Sequence, residues 1–294
     1  MPSQSPNEFV ITSSVRTEIV LKVAESLTST DVLLSEITAS DSAIYDALGT
    51  LRDRGLVTQN EDGWELTAHG ALVADSVSAW QSSEAFLEMN PTFWKNHRTT
   101  VIPARFRQRL PEIGEYEIIR DTPQYPNRSE DVAISILQSA DSCELTTPYY
   151  SRRHQEAIPT TPDTRLLVTR DVIDVSFQRY EDGHREELNN LDPASIRLTD
   201  CQFASVVTDN KLKFELPTVS EGTKGRYDEP EVTDSLERGS IADTTALFVS
   251  ETEAAIQWGR DLFETLWADS DPLGPYLKRE FPELWERHLS GESI

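Results

Sequence analysis

The sequence predicts a mixed α+β / α/β chain: an N-terminal winged helix-turn-helix followed by an α/β sandwich domain. Three observations predict it. Residues 13–70 order themselves as two short helices, a third helix and a turn-bounded hairpin. From Gly114 onward, strand-like and helix-like segments alternate, the pattern of a mainly parallel or mixed sheet with packed helices. Between the two parts a long helical pattern, Ala68 to about Met89, is broken by Asn90-Pro91. At 294 residues the chain is long for one domain and comfortable for two.

The elements follow in order. Residues 13–28 read as an amphipathic helix with Val15, Ile19, Leu21, Val23 and Leu27 on or near its buried side. Thr30 or Asp31 caps a short helix through Ile37, and Thr38-Ala39-Ser40 makes the turn. The string ASDSAIYDALGTLRDRGLV, residues 39–57, carries the third helix. Ile44, Leu48 and Leu51 recur at i, i+4 and i+7, one apolar face. Ser40, Ser42, Tyr45, Asp46 and Gly49 fall elsewhere, where short polar side chains can read base edges. Arg54-Gly55 ends the helix with a cation and a C′ glycine. Leu56–Gln59 and Trp64–Thr67 form two strands around the turn Asn60-Glu61-Asp62-Gly63, with its D-G signal. The long helix after this wing, with Leu72, Val73, Val77, Trp80, Phe86 and Leu87, suits a dimer seam or a joining element. Packing against the head is the competing reading for its first half.

Farther on, residues 92–110 look partly helical. Strands are expected at 116–120, 143–147, 164–169, 195–199, 203–208, 211–216 and 245–250. Helices are expected at 131–140 (capped near Ser129), 153–157, from 170 to near Asn190, 251–268 and 280–289. The domains are read as 12–89, a basic connecting segment 90–113, an α/β domain 114–270 and a helical tail 271–294.

The formal net charge is −24, and of 27 cations only 6 are Lys. The acid is spread through every element, which points to a salt-adapted, halophilic source, a merely acidic protein being the plainer alternative. Residues 13–78 hold four cations against eleven carboxylates, a balance of −7. A basic footprint is what DNA binders in dilute salt carry. In molar salt counterion release no longer drives association, so the acid weakens a DNA reading without excluding it. Residues 89–111 contain no Asp or Glu but hold Lys95, Arg98, Arg105, Arg107 and Arg109. That window either contacts phosphate or pairs with neighbouring carboxylates.

Cys143 and Cys201 form no CxxC, so free thiols are expected. MPSQSPNEF has no signal pattern, and no apolar run reaches a membrane span. The expected location is cytoplasmic. Phosphate-loop, dinucleotide, zinc-protease and nucleophile-elbow motifs are absent from the sequence. Gly222-Thr223-Lys224-Gly225 follows no phosphate-loop strand, and the five His show no metal-ligand spacing.

Three strings carry a family resemblance. FWKNHRTTVIPARFRQRLPEIGEYE (93–117), VTDNKLKFELPTVSEGTKGRYDEPEVTDSLE (207–237) and AAIQWGRDLFETLW (254–267) are similar, in that order, to segments of archaeal winged-helix regulators of the methanogenesis-regulator type and their halophile relatives. With the N-terminal head, the resemblance covers about residues 12–270. It implies a transcription regulator, usually a homodimer, with an effector domain resembling a phospholipase D half-domain as in the TrmB sugar sensors. The phospholipase D nucleophile requires His-x-Lys. Two places after His69, His97, His154, His184 and His288 stand Ala71, Thr99, Glu156, Glu186 and Ser290, so a binding role is expected rather than hydrolysis.

The expected function is therefore sequence-specific binding of double-stranded DNA, modulated by a small metabolite, with no cofactor or metal and no membrane partner. The alternative is a winged-helix protein-docking module. DNA-contacting candidates are Ser40, Ser42, Ala43, Tyr45, Asp46, Thr50, Arg52 and Arg54 on the helix, and Asn60 and Gly63 on the wing. Lys95, Arg98 and Arg105 are additional phosphate candidates. Thr147 and Tyr149, Thr169 and Arg170, which follow strands at their carboxyl ends, are candidates for the effector site, and Arg226 joins them.

Overall fold

The computed structural model describes residues 4–181, 193–219 and 246–285. The chain divides into two compact units, Met1–Met89 and Asn90–Ile294.

The first unit opens on a helix that the periodicity did not reveal, α1 (Pro6–Ile11), capped by the Ser5 hydroxyl and burying Phe9 and Val10. Next, α2 (Ser14–Glu25) is capped by Ser13 and buries Thr17, Ile19, Val20 and Val23. It ends earlier than the periodicity predicts, and Leu27 is exposed. The reason is Thr28, whose N–H and C=O exchange bonds with Trp64 (3.1 and 2.8 Å), pulling the chain out of the helix into a bridge. The next helix, α3 (Thr30–Glu36), takes its cap from Ser29, one residue before the predicted one.

After the turn, α4 (Asp41–Asp53) is capped by the Ser40 hydroxyl. Ile44, Leu48 and Leu51 are fully buried, with Ala47 beside them. Each such aliphatic side chain contributes about 1.5–3 kcal/mol by burial. The helix closes on Gly55 at φ +68°. The Gly55 N–H donates to the Arg52 carbonyl and the Leu56 N–H to the Leu51 carbonyl, the paired bonds of a Schellman stop. β1 (Val57–Gln59) pairs antiparallel with β2 (Trp64–Leu66), and α5 (Ala68–Met89) follows. Gly70 lets α5 approach: a Cβ there would lie 1.8 Å from the Leu56 carbonyl oxygen.

The second unit is built on an eight-stranded mixed sheet. Its strands in chain order are β3 (Glu117–Arg120), β4 (Glu144–Thr147), β5 (Arg165–Val168), β6 (Ile196–Leu198), β7 (Ala204–Val207), β8 (Leu212–Glu215), β9 (Ala246–Ser250) and β10 (Asp271–Pro272). The spatial order is β10-β6-β5-β4-β7-β8-β9-β3. β4, β5 and β6 are parallel neighbours, and all other pairs are antiparallel. The helices are α6 (Pro91–Asn96), α7 (Ala104–Arg107), α8 (Arg128–Ser139), α9 (Arg152–Ala157), α10 (Arg170–Glu181), α11 (Glu253–Asp269), α12 (Leu273–Glu280) and α13 (Pro282–Leu284).

Strand alternation sorts the core into two faces. Leu145, Leu166, Ile196 and Val206 pack with Ile136, Leu137, Ala157, Tyr276 and Leu277. On the other face Phe214 stacks on Phe248 and meets Trp258 edge-on, and Phe93 meets Phe248. Gly259 of α11 sits where a Cβ would come within 2.8 Å of Leu212.

Three expectations are corrected here. The segment 90–113 is no free connector, because Phe93, Ile102, Phe106 and Ile113 are buried in the second unit. Residues 271 onward are no separate tail: β10 pairs with β6, and Leu273 and Leu277 are core residues. The predicted helix at 280–289 breaks at Phe281-Pro282, so helix lies on either side of that step, and residues beyond 285 lie outside the described ones. In addition, α8 starts at Arg128, and the Ser129 N–H is held by the Asp121 carboxylate rather than capped by its own side chain.

Candidate nucleic-acid interface and ligand pocket

The apolar face of α4 fixes what the opposite face presents. With Ile44, Leu48 and Leu51 turned inward, Ser42, Tyr45, Asp46, Thr50 and Arg52 are exposed, Tyr45 by 57 %, and Ala43 is half-buried. Several predicted contact residues also have a structural task. The Ser40 hydroxyl accepts from the Ala43 N–H at 3.3 Å and lies 3.2 Å from the Ser42 hydroxyl. The Thr50 hydroxyl donates to the Ala47 carbonyl at 3.0 Å. The Arg54 guanidinium lies 3.9 Å from the Phe9 ring centroid and donates to the Gln4 carbonyl at 3.2 Å. Arg54 is thus tied to the N-terminal segment, a contact that depends on α1.

The hairpin loop is equally specified. The Asn60 side-chain oxygen accepts from the Asp62 and Gly63 N–H groups at 2.9 and 3.0 Å, and the Asn60 N–H donates to the Gly63 carbonyl. Gly63 has φ +145°, and a Cβ there would lie 2.7 Å from the Thr28 carbonyl oxygen. Gly63 therefore exists to let the hairpin pair with Thr28. Glu61 and Asp62 at the tip are exposed.

The cation-rich window resolves residue by residue. Arg107 donates to the Thr100 and Ile102 carbonyls. Arg109 pairs with Glu112 and Asp261, both at 2.8 Å, which holds its guanidinium firmly protonated. Arg98 donates to the Gln202 side chain at 3.2 Å, and Arg105 lies 5.2 Å from the Phe106 ring. Lys95 is exposed at the end of α6. Much of the window fastens its own segment to the sheet unit.

At the carboxyl end of β4 the sheet builds a pocket. Ala133 and Leu137 of α8, Thr147, Tyr149, His154 of α9 and Lys213 of β8 line it. It encloses about 240 Å³ of non-atom space, part of it open solvent. Lys213 is only 2 % exposed, and its ammonium donates to Glu215 at 2.9 Å. The Tyr149 hydroxyl donates to the same Glu215 oxygen, also at 2.9 Å. The Thr147 hydroxyl donates to the Tyr149 carbonyl at 2.8 Å and accepts the Tyr149 N–H, fixing the turn that aims the ring.

Of the effector candidates, Thr147 and Tyr149 thus meet, and Thr169 and Arg170 do not join them. Arg170 is held by Asp200 and Asp271 at 3.2 and 2.9 Å, and the Thr169 hydroxyl is buried. Arg226 and the Gly222–Gly225 loop lie outside the described residues. The residues missed by sequence reasoning are His154, Lys213 and Glu215. A signal existed: Lys213 and Glu215 stand at i and i+2 in the apolar string LKFEL, so they share a strand face, in a chain with few Lys. Among the described residues no group of three or more His, Cys, Asp or Glu could hold a metal ion, and no helix is long and apolar enough to cross a membrane.

Residues 8–82 match the family described as the N-terminal domain of the methanogenesis regulatory protein FilR1. The methanogenesis regulatory protein FilR1 of Methanothrix harundinacea (strain 6Ac) is 24 % identical over 236 residues, which is 76 % of this chain and 48 % of that protein. The chain thus spans about half the length of this relative. Among solved structures, TrmBL2, described as an archaeal chromatin protein with a novel mode of DNA binding, aligns over 88 % of this chain and 93 % of its own at 13 % identity and a TM-score of 0.33. Nuc of Salmonella typhimurium, a phospholipase D family member, aligns over 53 % and 97 % at 10 % identity and a TM-score of 0.32. Likenesses that weak carry no functional weight.

Proposed function

We propose that the chain is a sequence-specific DNA-binding transcription regulator, with a winged helix-turn-helix head and a ligand-responsive second unit. The observation that carries the reading is α4. It turns Ile44, Leu48 and Leu51 inward and presents Ser42, Tyr45 and Arg52 outward, within the segment that matches the N-terminal domain of a methanogenesis regulator. A helix so mounted can enter the major groove with its short polar side chains on base edges. The Asn60–Gly63 loop then lies along the backbone or minor groove as the wing. Lys95, Arg98 and Arg105 are proposed as additional phosphate contacts.

The active form is proposed to be a cytoplasmic homodimer. Leu72, Trp80 and Leu87 are exposed along α5, and residues 76–83 of that helix carry no charge in an otherwise acidic chain. Two such helices can meet without bringing like charges together. A two-fold dimer favours a pseudo-palindromic operator.

The test is genome-wide immunoprecipitation of the tagged protein with and without a change of carbon source. Sharp peaks sharing a two-fold motif are expected, and the neighbouring genes then point to the ligand. The acidic head supports one second reading, a module that docks a basic protein. Absence of peaks from a folded, abundant protein, together with one stoichiometric partner on purification, would favour docking.

A further inference from the structure

Lys213 is the least ordinary residue of the second unit. It is buried on β8, on the sheet face that α8 and α9 cover, among Leu137, Leu145 and Val206. An ammonium has three N–H donors, and its hydrogen-bond partner among the described residues is Glu215 alone. Burying a charge with donors unmet is expensive, so a site that keeps one has acceptors to receive. The surroundings state which kind. Tyr149 already donates to Glu215 and therefore offers its oxygen only as an acceptor. The Thr147 hydroxyl is spent on the Tyr149 backbone. Glu215 neutralises the ammonium, which disfavours a doubly charged phosphate alongside it. Ala133 and Leu137 make the remaining wall apolar, and the volume admits only a few heavy atoms.

We propose that this pocket binds a small monocarboxylate, a two- to four-carbon acid, with its carboxylate on the Lys213 ammonium and its carbon chain against Ala133 and Leu137. A hydroxyl or keto oxygen on the acid falls within the reach of Tyr149 and His154. The proposal deepens the ligand-responsive reading and rests on it only for the consequence at DNA. The site lies where α/β sheets commonly bind ligands, at the carboxyl end of a strand from which the chain departs in two directions, β5 on one side and β7 on the other.

The experiment is calorimetric titration of the full chain in molar KCl with sodium glycolate, lactate, pyruvate, inorganic phosphate and glycerol. Saturable heat from at least one of the three acids, lost in Lys213→Met, is expected. Glu215→Gln provides the signed control: removing the internal carboxylate frees the ammonium for the ligand and should tighten acid binding roughly tenfold. It should also enlarge the rise in melting temperature that the acid produces. No heat from any of the three acids, binding by phosphate or glycerol alone, or weaker acid binding in Glu215→Gln would each overturn the assignment. Fluorescence anisotropy with operator DNA is run in parallel. Acid binding that leaves DNA affinity unchanged keeps the pocket and removes only its regulatory consequence.

Discussion

The guanidinium of Arg54 rests 3.9 Å from the ring centroid of Phe9, joining the last residue of the third helical hairpin element to the first helix of the chain. Arg16 covers the same ring at 4.0 Å. A cation over an aromatic face contributes about 0.5–1 kcal/mol at an exposed site. Phe9→Leu, which keeps most of the apolar burial, should therefore cost about 1 kcal/mol or slightly more. Phe9→Leu and Arg54→Ala should be non-additive in a double-mutant cycle followed by urea unfolding. Full additivity would mean the stacking is not energetically coupled.

Three glycines should respond with opposite signs. Gly49→Ala meets no atom within 4 Å in the middle of α4, and helix propensity alone should stabilise it by roughly 0.5–1 kcal/mol. Gly63→Ala places a Cβ 2.7 Å from the Thr28 oxygen at a positive φ, and Gly70→Ala places one 1.8 Å from the Leu56 oxygen. Both should lower the melting temperature clearly, by more than about 2 kcal/mol in free energy. A Gly70→Ala protein as stable as wild type would show that α5 does not approach Leu56 so closely.

Tyr45 separates reading from folding. Its exposure predicts a stability change within about 0.5 kcal/mol for Tyr45→Ala. Selection of bound sequences from a random pool should nonetheless return a changed preference, as should Ser42→Ala. Arg54→Glu should instead weaken binding to every sequence. An unaltered preference in Tyr45→Ala would remove that residue from the base-reading set.

His97 links stability to pH. Its Nδ1–H donates to the Phe93 carbonyl at 2.7 Å, its ring stacks on Phe93 at 4.1 Å, and Nε2 is buried with no partner among the described residues. Burial holds the imidazole below its ordinary 6.5. The unfolded chain therefore takes up the proton first, so the contribution of His97 is complete above about pH 6.5 and is lost as the pH falls below it. The urea midpoint of the wild type should fall more between pH 7.5 and 5.5 than that of His97→Phe, which keeps the stack. Parallel slopes would assign the dependence to the carboxylates.

Burial pushes both thiols, Cys143 and Cys201, up to about 12. The thiolate is the reactive form, so Ellman's reagent at pH 8 should titrate almost no thiol in the native protein and two after unfolding. A fast native reaction at either position would indicate local opening of β4 or of the segment before β7.

The sequence by itself determined the element order and most element positions. The 3.6-residue spacing of Ile44, Leu48 and Leu51 marks a one-sided helix, and Asp62-Gly63 between short apolar runs marks a hairpin. These signals are local, since a helix face and a turn depend on residues a few places apart. Local patterns fail where a distant partner decides. Leu27 looks buried until Thr28 pairs with Trp64, and α1 shows no periodicity because Phe9 is held by Arg16 and Arg54. Arg170 looks available until Asp200 and Asp271 take it. The pocket belongs wholly to the tertiary structure: Tyr149 and Glu215 are 66 positions apart, and only the pairing of β4 with β7 and of β7 with β8 brings them together. Strand order and register set which charges face each other across a sheet, and those long-range choices leave no imprint on any one stretch of sequence.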